Sequence, residues 1–284
     1  MYMSLSPGAI GIRASLEEAL QLAGEAGFQG VDVNIKEVAD LVARHGASYV
    51  RDLFARHGLR VGIWGFPVEF RKDEATWRAG LDELPRLAEI AQSFGWERTA
   101  TWILPFSDEL PFDENMAFHV SRLRPAAEIL RAHGCRLGLE YVGPATLRAG
   151  HRYPFIHNLE GWRQLCAAIG TDNIGLLLDA FHWYVSAGTA EDLHSLRNED
   201  VVTVHMNDAI AGVPRGEQLD NVRCLPGESG VIDLRTFLRA LQAVGYDGPL
   251  TVEPFSQRLR EMAPLDAARE TAAALRKVMV AAGL

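Results

Sequence analysis

The sequence predicts a closed (β/α)8 barrel, or TIM barrel, spanning residues 1–284 as a single domain. Three observations carry this. Short β-rich runs alternate repeatedly with longer segments of helical periodicity. The runs read as continuous apolar stretches, as expected of parallel strands covered on their outer face. Eight such runs occur in 284 residues and no GxGxxG follows the first. Both points favour a barrel of about 250 residues over the doubly wound sheet that shares the pattern. No linker-like Pro/Gly/Ser tract divides the chain.

The first strand is the faintest and lies within residues 2–12. Ser15, with Glu18 three places on, forms a capping-box pattern heading an amphipathic segment at 15–27. "GVDVNI" (30–35) and "RVGIWGF" (60–66) are the second and third strands. The helical segment 76–95 ends in Gly, a usual stop, but Pro85 inside it predicts a kink or a break. "RTATWIL" (98–104) is the fourth strand, followed by a helix at 114–134 in which Pro125 predicts the same. After "RLGLEYV" (136–142) comes a long connection, 143–158, carrying His151, Arg152, Tyr153 and His157. It reads equally as a lid over the site or as a disordered surface loop. "NIGLLLDAF" (173–181), "VVTVHMND" (201–208), a helix at 234–245 and "PLTVEPF" (249–255) complete the series.

Composition narrows the function classes. With 48% hydrophobic and 23% charged residues the chain is neither disordered nor fibrous. A net charge of −9 supplies no dense basic face, which argues against a nucleic-acid partner. Cys135, Cys166 and Cys224 are odd in number and widely spaced, with no CxxC pair, as in a reducing compartment. The first 20 residues lack the basic and apolar regions of a signal peptide, and no stretch approaches the roughly 20 apolar residues of a membrane span. A cytoplasmic protein without a membrane partner is the expectation.

Reactive groups of a barrel belong at the carboxyl ends of its strands. The last four strands end in Glu140, Asp179, His205 and Glu253. An apolar strand does not tolerate an ionisable residue unless that residue is paired or bound. A single strand-end carboxylate is usually a helix cap or an ion-pair partner; four consecutive strands with such ends form a constellation. Three carboxylates and one imidazole at one barrel mouth repel one another, and a divalent cation resolves the repulsion. The oxygen-rich set suits Mn2+, Mg2+ or Co2+, with Zn2+ also compatible. His182, one turn beyond Asp179, faces the same mouth as a substrate contact or a tether for its loop.

The segments "LEYVGP", "NIGLLLDAFHWYVSAG", "VVTVHMNDA", "VRCLPGESGVIDL" and "LTVEPF" resemble the xylose-isomerase-like TIM-barrel superfamily of sugar isomerases and epimerases, and within it the inosose (2-keto-myo-inositol) isomerases. The resemblance implies that Glu140, Asp179, His205 and Glu253 bind one divalent metal, Mn2+ being expected first. It implies that Glu140 and Glu253 move protons on opposite faces of a bound ketose. It further implies that His182 and Arg223 hold substrate oxygens, Arg223 being preferred to nearby Arg215 for its offset from the Pro226-Gly227 turn. Trp64, Phe66, Trp102 and Trp183 lie at or past strand ends, where they stack on a sugar ring or simply pack the barrel top. Trp64 and Trp102 are taken as substrate-binding.

The reaction implied is isomerisation or epimerisation of a keto-sugar or keto-inositol through an enediolate. A dehydratase of a cyclic hydroxy-ketone, of inosose or dehydroshikimate type, uses the same first step. A metal-dependent apurinic endonuclease shares Asp179 and His182 but places histidines where Trp64 and Trp102 stand, and an Asp-x-His pair that "GVIDLRTF" lacks. Glu228 in "PGESG" disfavours a phosphosugar. Sugar isomerases resembling this one are often dimers or tetramers, so a homo-oligomer is compatible with the reading.

Overall fold

Eight parallel strands meet edge to edge in a computed structural model that describes residues 1–284. They are β1 (Tyr2–Leu5), β2 (Gly30–Val33), β3 (Arg60–Gly65), β4 (Arg98–Ile103), β5 (Arg136–Tyr141), β6 (Ile174–Asp179), β7 (Val201–Met206) and β8 (Pro249–Val252). Each pairs with its neighbours in sequence, and β8 closes on β1 through Tyr2↔Pro249, Met3↔Leu250 and Ser4↔Thr251. The predicted (β/α)8 barrel is therefore the observed fold.

Helices wrap the outside because each presents one apolar stripe to the strands. The capping box at Ser15 forms as read: the Ser15 hydroxyl accepts from the Glu18 N–H and the Glu18 carboxylate accepts from the Ser15 N–H. Of the kink or break expected at Pro85 and Pro125, the break does not occur. Helices Glu74–Ser93 and Phe112–Ala132 each continue through their proline. A proline deletes one ladder hydrogen bond, and fully buried neighbours hold each helix to its contacts on both sides of it: Leu84, Leu87 and Ala88 in one, Leu123, Ala126 and Ala127 in the other.

The amino-terminal end of the barrel is closed by structural contacts. Arg98 donates to the Val202 carbonyl at 2.7 Å and pairs with Asp247 at 2.8 Å, and the Tyr246 hydroxyl donates to the Pro249 carbonyl. Chemistry is left to the opposite end. There, segment 143–158 is tied down rather than loose. Tyr153–Pro154 pairs antiparallel with Phe106–Ser107, His151 stacks on Phe106 and approaches Asp108 at 2.8 Å, and Thr146 donates to the Gln218 carbonyl. All three cysteines are free. No helix is long and apolar enough to cross a membrane.

Candidate metal centre and substrate cavity

Strand register brings the four strand-end residues together. Asp179 pairs with His205 across β6 and β7, Trp102 with Glu140 across β4 and β5, and Glu253 follows β8 directly. One ligand atom from each of Glu140, Asp179, His205 and Glu253 lies within 4.8 Å of all the others. His205 Nδ1 sits 3.8 Å from Glu140 Oε1, 3.8 Å from Asp179 Oδ2 and 3.3 Å from Glu253 Oε2. Glu140 Oε1 and His205 Nδ1 are buried with no hydrogen-bond partner. Two orphaned atoms facing one another inside an oxygen-rich cage fit a divalent cation, since each has a lone pair to give.

The electrostatics support that fit. Burial lowers the His205 pKa, but Glu253, Glu140 and Asp179 outweigh it and raise the value to about 10. Burial raises the Glu140 pKa well above the usual carboxylate range; His205 opposes the shift while Glu253 and Asp179 add to it. Protein groups alone therefore settle the cluster by favouring protons on two of the prospective ligands, His205 and Glu140. A cation would settle it by replacing those protons.

Asp179 is held from behind. Its Oδ1 caps the helix Ala180–Val185 by accepting from the Phe181 and His182 N–H groups at 2.7 and 3.0 Å. Its Oδ2 accepts from Asn207 Nδ2 and Arg223 Nη1, both at 2.9 Å. Burial alone would raise the Asp179 pKa; Arg223, His182 and His205 overcome it and hold the value at about 2. Glu253 lies lower than usual against its own burial, owing to His205 and Arg223.

Arg223 is the brace of the centre. Besides Asp179, it donates to Glu253 Oε2, to the Asp220 carbonyl and to Asp220 Oδ1, and its Nη2 lies 3.3 Å from His182 Nε2. The guanidinium carbon lies over the rings of Phe181 and Phe255 at 4.7 and 4.8 Å. Phe255 adopts φ +46°, a left-handed conformation that a bulky residue enters only under constraint. Its N–H groups are directed at protein partners, and Arg223 is not among the residues lining the cavity in front of the centre. His182 lies beside it. It is 2% exposed and wedged between Arg223 and the Gly143 N–H, within 3.7 Å of Glu140 and Asp220.

The loop bearing Arg223 is itself anchored. Asp208 and Cys224 exchange backbone hydrogen bonds at 2.9 and 2.8 Å. The fully buried Asp208 carboxylate accepts from the N–H groups of Ala209, Gly230 and Ile232. Gly227 in that loop has φ +71°, and a Cβ there would meet Val278 at 2.6 Å, so the turn needs glycine.

In front of the centre opens a cavity of about 870 Å³. Glu140, His205 and Glu253 line it together with Asp32, Phe66, Thr101 and Trp102. Trp102 is 42% exposed, with the Arg71 guanidinium over its ring. Trp64 is a correction: it is fully buried away from the cavity, donating from Nε1 to the Trp96 carbonyl. Trp183 likewise packs on Phe237. Reasoning from sequence missed Asp220, in a loop without pattern, and Asn207, a neutral side chain just past β7. It also missed Asp32, although an acid inside "GVDV" breaks the same apolar rule that exposed the other four.

A (β/α)8 barrel with an imidazole and three carboxylates around one ion-sized point, opening on a ligand-sized cavity, defines a class of metal-site barrel proteins. The family model described as xylose isomerase-like TIM barrel matches residues 20–278, and the chain belongs to that family. An inosose isomerase of Bacillus velezensis is 23% identical over 244 residues, 85% of this chain and 84% of that protein. A 3-dehydroshikimate dehydratase of Pseudomonas aeruginosa is 28% identical over 91% of this chain, which spans 39% of that protein's length. A xylose isomerase domain protein from Alicyclobacillus acidocaldarius superposes with a TM-score of 0.89 at 33% identity, over 100% of both chains.

Proposed function

We propose that this chain is a divalent-metal-dependent isomerase or epimerase of a keto-sugar or keto-inositol, acting through an enediolate. The observation that carries the reading is the convergence of Glu140, Asp179, His205 and Glu253 within 4.8 Å, three of them, Glu140, His205 and Glu253, on the wall of the cavity. Those four residues would hold the ion, with manganese the first choice for so oxygen-rich a set. When bound, a divalent cation supplies Lewis-acid polarisation of the ketone and offsets the negative charge that develops on its oxygen.

The remaining work falls to side chains. A carbon acid beside a ketone needs a carboxylate within reach of its C–H, and Glu140 and Glu253 both line the cavity. One takes the proton and the other returns one, to the neighbouring carbon in isomerisation or to the opposite face in epimerisation. Arg223 acts through Glu253 and Asp179, orienting them and supplying positive charge behind them, while His182 packs against Arg223 and Glu140. Trp102 and Phe66 offer apolar surface to the C–H face of a sugar and exclude water.

Dehydration of a cyclic hydroxy-ketone is the second reading, favoured by the similarity to the 3-dehydroshikimate dehydratase. It shares the proton abstraction and then expels a β-hydroxyl. The deciding experiment is proton NMR in deuterated water, with manganese-loaded protein and a panel of 2-keto-myo-inositol, 3-dehydroshikimate and free ketoses. Deuterium beside the carbonyl with a new keto-sugar supports the isomerase or epimerase. A dehydrated product moves the assignment to the lyase, and no exchange by fully loaded protein on any of them overturns the reading.

A further inference from the structure

Across the cavity from the metal-ligand cluster lies a carboxylate that the proposed reaction does not use. Asp32 projects from β2, four places from β6 around the closed strand order, so it faces the ligand-bearing half of the barrel over the lumen. Its Oδ1 accepts from the Ser4 hydroxyl at 2.8 Å and the Ile63 N–H at 3.1 Å, while Oδ2 accepts only a 3.3 Å bond from the Thr251 hydroxyl. A carboxylate oxygen has room for a further donor. Asp32 has no ion-pair partner. Of the cations lining the cavity, His205 is a prospective metal ligand, Lys36 is bound to Glu83 at 2.8 Å and Arg13 lies exposed at the rim. The neighbouring strand makes space for the acid: a Cβ on Gly62 would fall 2.1 Å from both Asp32 Oδ1 and Ser4 Oγ.

We propose that Asp32 is the specificity-determining acceptor for substrate hydroxyls remote from the carbonyl, selecting uncharged polyhydroxylated ketones over those that carry a carboxylate. The inference rests on the metal-ketone reading above, which anchors the carbonyl end of the ligand at β5–β8 and sends the rest toward β2. Burial raises the Asp32 pKa, while the Ser4, Ile63 and Thr251 donors and His205 favour its anion. A hydroxyl there meets that braced anion and gains a charge-assisted hydrogen bond. A substrate carboxylate there meets the same anion with no buried cation free to neutralise it, and is repelled.

The test uses manganese-loaded protein and two readouts. The first is equilibrium binding of the unreactive polyol myo-inositol, with quinate as its carboxylated counterpart. The second is kcat and KM for 2-keto-myo-inositol. Wild-type protein binds myo-inositol at least about tenfold more tightly than quinate. Asp32→Asn weakens myo-inositol binding and raises KM by about 10- to 100-fold, as expected for one hydrogen bond to a charged group, with a smaller effect on kcat and none on manganese affinity. A lower Tm with unchanged KM and binding reduces Asp32 to a brace for Ser4 and Ile63 and overturns the inference. If Asp32→Asn fails to fold, the wild-type comparison decides alone: quinate binding as tightly as myo-inositol overturns it. Failure of the underlying reading looks different. Wild-type protein that exchanges no deuterium into any ketone, yet loses myo-inositol on Asp32→Asn, refutes the reaction and keeps the binding role.

Discussion

Arg223 shows how much of this site depends on a single side chain. It is the only guanidinium touching both Asp179 and Glu253, and it is 1% exposed. Removing one partner of a buried ion pair costs about 3–5 kcal/mol, because the other charge is stranded. Arg223→Met is therefore expected to lower thermal stability by about that amount in a calorimetric scan. Arg223→Lys should recover only part of it, since an ammonium cannot reach Asp179, Glu253 and Asp220 as one planar fork. Glu140→Gln and Glu253→Gln each lower kcat by about 10²- to 10⁴-fold in the NMR assay, the usual worth of a general base. Near wild-type turnover by either would refute the two-glutamate mechanism. At this scale the four prospective ligands were legible because each interrupts an apolar run. Trp64 was not, because pairing shifts from Val31↔Val61 to Val33↔Trp64 and flips which residues of β3 face inward.

Loops and strands show a different division of labour. The segment from Asp208 to Ile232 has little regular structure, yet Asp208 ties both ends of its returning half through Cys224, Gly230 and Ile232. Asp208→Ala keeps the backbone pairing with Cys224 but leaves the Ala209, Gly230 and Ile232 N–H groups without their acceptor, at about 1–3 kcal/mol for each that stays buried. Faster amide hydrogen exchange is expected across 209–232, with β1–β8 unchanged; uniform loosening of the barrel would contradict the clamp. The run "VVTVHMND" was visible in sequence, but not that its last residue, Asp208, grips a loop through Cys224, Gly230 and Ile232. The two helices that run through their prolines carry a related lesson. A local rule predicts a break, and packing against the barrel overrides it.

For the molecule as a whole, metal binding and proton binding are linked. With its pKa raised to about 10, His205 carries a proton at neutral pH and must lose it to become a ligand. Manganese affinity should therefore rise with pH through the neutral range, by about tenfold per pH unit for each proton displaced, and titration calorimetry in buffers of different ionisation enthalpy should show proton release. Flat affinity from pH 6 to 8 would contradict the linkage. A cation that binds only the folded barrel also stabilises it, by about 2.7 kcal/mol at a hundred times its Kd. Chelation should lower Tm accordingly.

The sequence by itself determined the barrel, the order of its strands and the four residues that its last strands carry to one mouth. Those features repeat locally: apolar runs, helix stops, and acids where acids are costly. Only the tertiary structure decided that Arg223 and His182 stand behind the carboxylates, that Trp64 belongs to the core, and that segment 143–158 is strapped to its neighbours. It also placed Asp32 opposite the cluster. The physical reason is closure, since residues more than 100 positions apart become neighbours once β8 pairs with β1, and no local pattern in the chain encodes which face each then presents.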